Sequence, residues 1–320
     1  MILEFESPNP FGILAAIAAA TGTVVDDGTI NIPAEFGKGF IKSIVVNQQL
    51  MLLIRQYELK EELIVKRGLT DDGDNLIIMA FHNLYRTPDM LRNNTFSMPS
   101  VQITTAGTDY EDFFPSNSHV NTFIILIHIS LLKDLLDSNQ KSEFLQVILS
   151  GKRSFFFEEV ISPEMQHIAD EILSKKVSLE LRDFFYRIKT EQLIYLCLNE
   201  LGKRERLSEY PPNVNDVRII YAIRNKMMAD LSDNPNLSVL AKTTGMSESK
   251  IKRLFKQIFG NSIYNYYQSL RIEQAAFLIK EHNLSISEAG YLVGFTNLSH
   301  FARIFERHKG VKPKKYAKIG

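Results

Sequence analysis

Two arginines stand fifty residues apart in nearly the same company: Arg253 in "GMSESKIKRLFKQIFG" and Arg303 in "GFTNLSHFARIFERHKG". Arginine carries a planar fork of donors, the geometry that pairs bidentately with guanine O6 and N7 in the DNA major groove. In each stretch a glycine precedes a short polar residue and then an apolar pattern of helical period. Ile251, Leu254, Phe255 and Ile258 share one face, and Phe301, Ile304 and Phe305 repeat it. The opposite faces leave Ser249, Lys250, Lys252, Arg253 and Lys256 in the first unit. In the second they leave Leu298, Ser299, His300, Arg303 and Arg307. With the expected caps Ser247 and Asn297, these are the candidate DNA contacts. Arg253 and Arg303 are assigned to base edges. His300 reads equally as a cap or a phosphate contact, and Lys256 as a solvated lysine.

The elements that must position these residues are marked by their own punctuation. A helix is expected from about Asp216 to Leu231, and Asn236 then caps "LSVLAKTTG", which Gly245 stops. Ser247 starts the first basic helix, which runs to about Phe259. After a long helix from about Ser262 to Glu281, Ser285 and Glu288 form a capping box, and Gly294 ends that short helix. Asn297 or Thr296 starts the second basic helix, to about His308. Short helix, glycine turn, capped basic helix is the order of a helix-turn-helix reader. One such signature occurs in many helical cores; two on one basic segment point to DNA. The helix between them, "SIYNYYQSLRIEQAAFLIKE", has no proline or glycine and would span about 30 Å, close to one turn of B-DNA. It reads as a stiff spacer between two major-groove readers.

Charge divides the chain. From Asn213 onward 17 Lys+Arg face 8 Asp+Glu, a net of +9, while the residues before it carry 20 against 29, a net of −9. A basic module implies a polyanionic partner, against the blander reading of an uneven surface. The acidic start, with Glu4 and Glu6, and the short apolar run Phe11 to Ala20 fit neither a signal peptide nor a membrane span, so a cytoplasmic protein is expected. Cys197 is the one cysteine, so an intrachain disulfide and a cysteine-rich zinc site are excluded. The seven histidines show no H-x-H or H-E-x-x-H spacing, and no Gly-rich phosphate loop or G-x-S-x-G elbow is present. No enzyme, metal or cofactor is expected. His128, in "FIILIHISLL", reads as a core or cavity-lining histidine rather than a metal ligand.

The first half reads as strands and then helices. "SIVVNQQLMLLIRQYEL", "EELIVKRG", "NLIIMAFHNLY", "SVQITTAG" and "NTFIILIHISLL" are β-rich runs, separated by turn residues at Asp26, Asp71, Thr87 and Phe114. Such spacing predicts a small barrel or sandwich. Ser162-Pro163-Glu164 opens a helix. "SLELRDFFYRIKTEQLIYLCLNEL" is more apolar than a one-sided surface helix needs. Its residues from Leu179 to Leu201, Leu193 among them, pack either within the chain or against a second copy. "RERLSEYPPNVND" reads as a linker. The division expected is a sensor or dimerisation domain over 1–205, barrel to about 150, a linker over 206–215, and an all-α domain over 216–320. The fold class is α+β.

"AKTTGMSESKIKRLFKQIFG" together with "ISEAGYLVGFTNLSHFARIFERHKGVKP" resembles the DNA-binding domain of the AraC/XylS family of bacterial transcription regulators. The likeness covers about 105 residues in order and spacing. It departs at Ala289-Gly290, where the family has an apolar residue and then alanine. It departs again at Lys309, a usual aromatic, and at Ala317, a usual arginine. These positions bear on packing in the second unit and leave the base-reading positions intact. The resemblance implies a double-stranded DNA operator, a cupin-like N-terminal barrel that binds a small-molecule effector, a homodimer, and contact with RNA polymerase. "IKTEQLIYLCLNEL" adds a fainter likeness to siderophore-responsive members. "EDFFPSNSH" and "KRSFFFEE" are candidates for the mouth of such a barrel. The other reading is a regulator whose N-terminal half only dimerises or binds a protein. DNA-repair alkyl acceptors share the module but need several cysteines.

Overall fold

The computed structural model describes residues 2–5, 13–67, 75–83, 98–105, 110–114, 116–136, 143–150, 155–204 and 212–318. They fall into two compact units, divided along the chain between Pro211 and Pro212 except that Met98 groups with the second.

The first unit carries ten strands: β1 (Ile2–Phe5), β2 (Thr29–Asn31), β3 (Gly37–Asn47), β4 (Leu50–Leu59), β5 (Leu63–Arg67), β6 (Leu76–His82), β7 (Ser100–Thr105), β8 (Tyr110–Phe114), β9 (His119–His128) and β10 (Phe156–Val160). Its helices are α1 (Ile13–Thr21), α2 (Ile129–Leu135), α3 (Glu143–Ser150), α4 (Pro163–Ser174) and α5 (Arg182–Gly202). Seven strands pair antiparallel in the order β10-β7-β6-β9-β4-β3-β2, and β1-β5-β8 form a second, mixed sheet. "SIVVNQQLMLLIRQYEL" is thus two strands. Asn47 turns the chain by accepting from the Gln49 N–H at 2.7 Å, and a register shift follows Val45.

The expected barrel does not close: among the described residues β2 and β10 remain edges of an open sheet. The reason lies in the central strands, which are apolar on both faces. Leu52, Ile54, Ile77, Phe81, Phe123 and Ile125 pack under α2 to α5, while Met51, Leu53, Ile78 and Leu126 pack with Leu14 and Ile17 of α1. A sheet covered by different elements on its two faces reads as continuous apolar runs, where a small barrel has a single filled interior. "KRSFFFEE" supplies the start of β10, whose Phe156 and Phe157 are buried together with Phe155 just before it; Lys152, Arg153 and Ser154 lie outside the described residues. The side chains of Glu111 to Pro115, the turns at Asp71 and Thr87, and most of the linker lie outside them as well.

His128 ends β9 and caps α2, its Nδ1 accepting from the Ser130 N–H. Ser162 caps α4 by accepting from the Met165 N–H, with Pro163 in the first turn. The apolar run at α5 divides: Leu193, Ile194, Leu196, Cys197, Leu198 and Leu201 are buried in the unit's own core, whereas Leu179, Leu181, Phe184, Ile188 and Tyr195 are exposed. Burial raises the Cys197 thiol well above its usual range, so it stays protonated and unreactive. Leu193 therefore belongs to the core and not to any face for a second copy.

The second unit is all-α. Asn213 caps α6 (Val214–Ala229), whose start falls inside the segment read as linker. Then come α7 (Leu237–Thr244), α8 (Glu248–Phe259), α9 (Ile263–Glu281), α10 (Ile286–Leu292), α11 (Leu298–Lys309) and α12 (Pro313–Tyr316). No helix among the described residues is long and apolar enough to cross a membrane.

In denaturant unfolding of the full chain, Leu193→Ala is expected to lower stability by about 2–5 kcal/mol, because the side chain is fully buried. Ser162→Ala, which removes one cap, should lower it by about 1 kcal/mol. Equal effects would show that Leu193 is not held in the core as described.

Candidate nucleic-acid interface

The first reader is α7, a turn and α8. Asn236 accepts from the Ser238 and Val239 N–H groups, and Gly245 ends α7 in the left-handed region at φ +68. Met246 then buries, and Ser247 accepts from the Lys250 N–H at 3.2 Å to open α8. The apolar face expected of α8, Ile251, Leu254, Phe255 and Ile258, is buried in full, and Phe259 is buried beside it. Phe255 packs edge-to-face and Phe259 tilted against Tyr266 of α9, at centroid distances of 5.4 and 4.8 Å. That aromatic cluster fixes which way α8 turns its other face.

The second reader repeats the design. The Ser285–Glu288 capping box opens α10. Its end is a Schellman motif: Phe295 N–H donates to the Gly290 carbonyl and Gly294 N–H to that of Tyr291, with Gly294 at φ +84. Asn297, not Thr296, caps α11 by accepting from the His300 N–H at 3.0 Å. Phe301 and Phe305 are fully buried, while Ile304 is only partly buried.

The solvent faces sort the candidates. Ser249, Lys252, Arg253 and Lys256 are exposed on α8, and Ser299, Arg303 and Arg307 on α11. Lys256, Arg303 and Arg307 have no ion-pair partner among the described residues. Lys252 lies 3.9 Å from Glu248, a loose pair that solvent screens. Five candidates do other work. Lys250 Nζ lies 2.8 Å from the carboxylate of Asp216, whose side chain is 10% exposed, so it ties α8 to α6. Leu298, expected on the open face, packs partly into the second reader's core beside Phe301. The reason is Gly290: a Cβ there would meet Leu298 Cδ2 at 3.1 Å and Phe301 at 3.2 Å, so the missing methyl is the space they fill. Ser247 and Asn297 spend an oxygen on their caps. His300 sets its ring against Phe295 at 5.9 Å.

Lys309 reaches back to Glu273 of α9 at 2.6 Å. Tyr316 of α12 closes the same corner against Phe305 at 5.3 Å. Burial lowers the His308 pKa, so at neutral pH that ring adds little charge to the end of α11.

Sequence reasoning passed over Asp216, Tyr267 and Arg271. Arg271 left a signal, a single cation inside the apolar run of α9. It is 5% exposed, and burial lowers its pKa from the ordinary arginine value. α9 is one continuous helix, as the spacer reading expects, and it is more than a spacer. Ile263, Tyr266, Tyr267, Leu270, Ile272, Ala275, Ala276, Phe277, Leu278 and Ile279 are all buried, so the helix is the shared core of both readers.

Residues 240–319 match a protein-family profile described as "Helix-turn-helix domain". The chain is 32% identical over 95 residues to the "HTH-type transcriptional activator CfaD" of Escherichia coli, covering 29% of this chain and 35% of that protein. It is 29% identical over 118 residues to the "Arabinose operon regulatory protein" of Escherichia coli strain K12, covering 36% and 40%. A solved AraC-type transcriptional regulator from Chromobacterium violaceum aligns at 25% identity and TM-score 0.31, over 33% of this chain and 95% of its own. The chain thus spans about two fifths or less of the length of the curated relatives it matches.

Three substitutions separate roles. Arg303→Ala should lower binding to a preferred DNA sequence by about 1–3 kcal/mol and relax preference at one base pair, whereas Lys256→Ala should weaken all sequences alike. Lys250→Ala should destabilise the domain by about 1–3 kcal/mol, because it strips the cation from a nearly buried Asp216. Binding across a randomised duplex library, with a melting curve for each variant, measures all three. Uniform loss with Arg303→Ala would make that arginine a phosphate contact.

Proposed function

We propose that this chain, whose C-terminal domain belongs to the AraC/XylS family of transcription regulators, is a sequence-specific regulator that reads double-stranded DNA with two helices. One observation carries the reading. Two basic helices, α8 and α11, each follow a left-handed glycine, each have a side-chain cap, and each turn cations to solvent on one +9 domain. Lysines such as Lys252 and Lys256 attract the phosphates without regard to sequence, and Arg253 and Arg303 read base edges. Arg307, Ser249, Ser299 and His300 extend the contact, and the capped N-termini of α7 and α10 present backbone N–H groups to phosphate. The setting is the bacterial cytoplasm.

The N-terminal unit controls the reader. Two observations support this, and each favours a different mode. On the second face of the large sheet a polar row crosses five strands. Arg55 Nε donates to Thr122 Oγ1 at 2.9 Å, His82 Nε2 lies 3.2 Å from Gln102 Oε1, and Gln102 Nε2 donates to Glu158 at 3.4 Å. Arg55 and Glu158 are 8% and 3% exposed, and groups that costly to bury are suited to a polar small molecule. The other mode is association. Phe184, Ile188 and Tyr195 repeat at helical spacing along the outside of α5, with Leu179 and Leu181 just before it, and all five are exposed. A second copy of the chain meeting the same stripe gives a two-fold homodimer. A protein partner such as RNA polymerase on that stripe is the alternative.

Binding of the full chain to its preferred duplex should fall on the order of 10³-fold between 50 and 200 mM salt if about six phosphates are neutralised. A gel-shift titration flat over that range would remove the electrostatic basis of the reading. Phe184→Glu should convert a sedimenting dimer to a monomer while the melting transition of the N-terminal unit is kept. A wild-type chain that is monomeric at micromolar concentration would favour the protein-partner alternative.

A further inference from the structure

Between the two readers lies a joint that neither helix-turn-helix unit contains by itself. Three short segments meet there: Leu231–Ser232 after α6, Tyr267 to Arg271 in the middle of α9, and the turn Val293-Gly294-Phe295 of the second reader. Tyr267 Oη donates to the Leu231 carbonyl at 2.7 Å. Arg271 Nε donates to the Val293 carbonyl. The guanidinium lies 3.9 Å from the centre of the Phe295 ring and 5.2 Å from that of Tyr267. Gly294 closes the third side. A Cβ there would lie 2.8 Å from Ser232 Cα, 3.1 Å from the Leu231 carbonyl oxygen and 3.0 Å from Arg271 Nη2. Glycine is needed twice at this position, for its positive φ and for the close approach.

No carboxylate pairs with Arg271 among the described residues. A carbonyl and two aromatic faces offset the cost of burying its charge. A leucine would fill the same helix position without that cost. What arginine adds is direction, because a planar fork holds one carbonyl and one ring in fixed relation. The held turn leads into α11 within three residues, with the Phe295 ring packed against that of Phe301 at 5.1 Å. The held Leu231–Ser232 segment leads into α7.

We infer that Arg271, with Tyr267 and Gly294, is the positioning device that sets the phase between the two reading helices, and so the spacing between the two base-pair blocks the chain accepts. The inference rests on the two-reader function proposed above. Inserting residues into α9 cannot test it, since the helix is buried on several faces and both cores would be lost.

The test is selection from a randomised duplex DNA library by the full chain, its Arg271→Met variant and its Tyr267→Phe variant, each checked by thermal melting. The unmodified chain should select two blocks at one spacing, about one helical turn apart. Arg271→Met should select the same two blocks, but its preference for that spacing over neighbours one base pair away should fall about tenfold, the scale of one charge-assisted hydrogen bond. Tyr267→Phe removes one hydroxyl, keeps the ring, and should move the same way by less. If Arg271→Met does not fold, Tyr267→Phe decides alone. Folded variants that keep the single spacing and lose affinity for all sequences alike overturn the inference and leave the function standing. If the unmodified chain selects no paired blocks, the two-reader function falls and the inference with it.

Discussion

Tyr266 of α9 packs into the aromatic cluster of the first reader, and Ile272, Ala275 and Ile279 of the same helix pack into the core of the second. Each reader is too small to bury a core of its own: α7 and α10 have eight and seven residues, and α8 and α11 twelve each. Sharing one 19-residue helix of about 28 Å resolves this. The consequence is mechanical as well as thermodynamic. Two units built on the two halves of one helix cannot move apart without breaking packing in one of them, so the distance between the readers is a property of the core, while their phase is left to the joint that Arg271 holds.

The same economy shows in the cations. Of the residues that make the C-terminal domain basic, Lys250 and Lys309 are tied to Asp216 and Glu273, and Arg271 is buried. Each holds one helix to another: α8 to α6, α11 to α9, and the second turn to α9. A charge near a reading helix is therefore no guide to DNA contact by itself. Lys250 sits one helical turn before Arg253 on a face that looks uniform in sequence, yet its carboxylate partner assigns it to the scaffold.

Much of the reader domain was legible because its signals are local. Asn236, Ser247, Ser262 and Ser285 cap helices through their own side chains a few residues along, and Gly245, Gly294 and Gly310 announce left-handed turns without reference to the rest of the chain. What escaped was long-range. Asp216 meets Lys250 across 34 positions, and Tyr267 meets Leu231 across 36, with no periodicity to join them. Leu298 was misplaced because its burial depends on the side chain Gly290 lacks. In the first unit the strand runs at β6, β7 and β9 were clear. The hairpin inside β3–β4 was hidden because "NQQ" carries no glycine, and the barrel was expected because strand spacing says nothing about which edges pair. The exposed and buried halves of α5 share one apolar composition, so only packing could separate Phe184 from Leu193.

The departures from the family pattern fit the same account. Where an aromatic is usual, Lys309 carries an ion pair to Glu273, and its ammonium also lies 6.0 Å from the centre of the Tyr316 ring. An aromatic would hold α11 to α9 by area alone. A lysine holds it by charge, in a pair whose side chains are 20% and 30% exposed, so its contribution must weaken with salt more than a ring's would. Gly290 works in the opposite sense, drawing Leu298 and Phe301 toward α10 through apolar contact that salt does not screen. The second reader thus closes the C-terminal end of α11 partly by charge and its N-terminal end by apolar contact at Gly290. Looseness, where salt introduces any, falls on the far end of the reading helix, away from the turn that Arg271 holds.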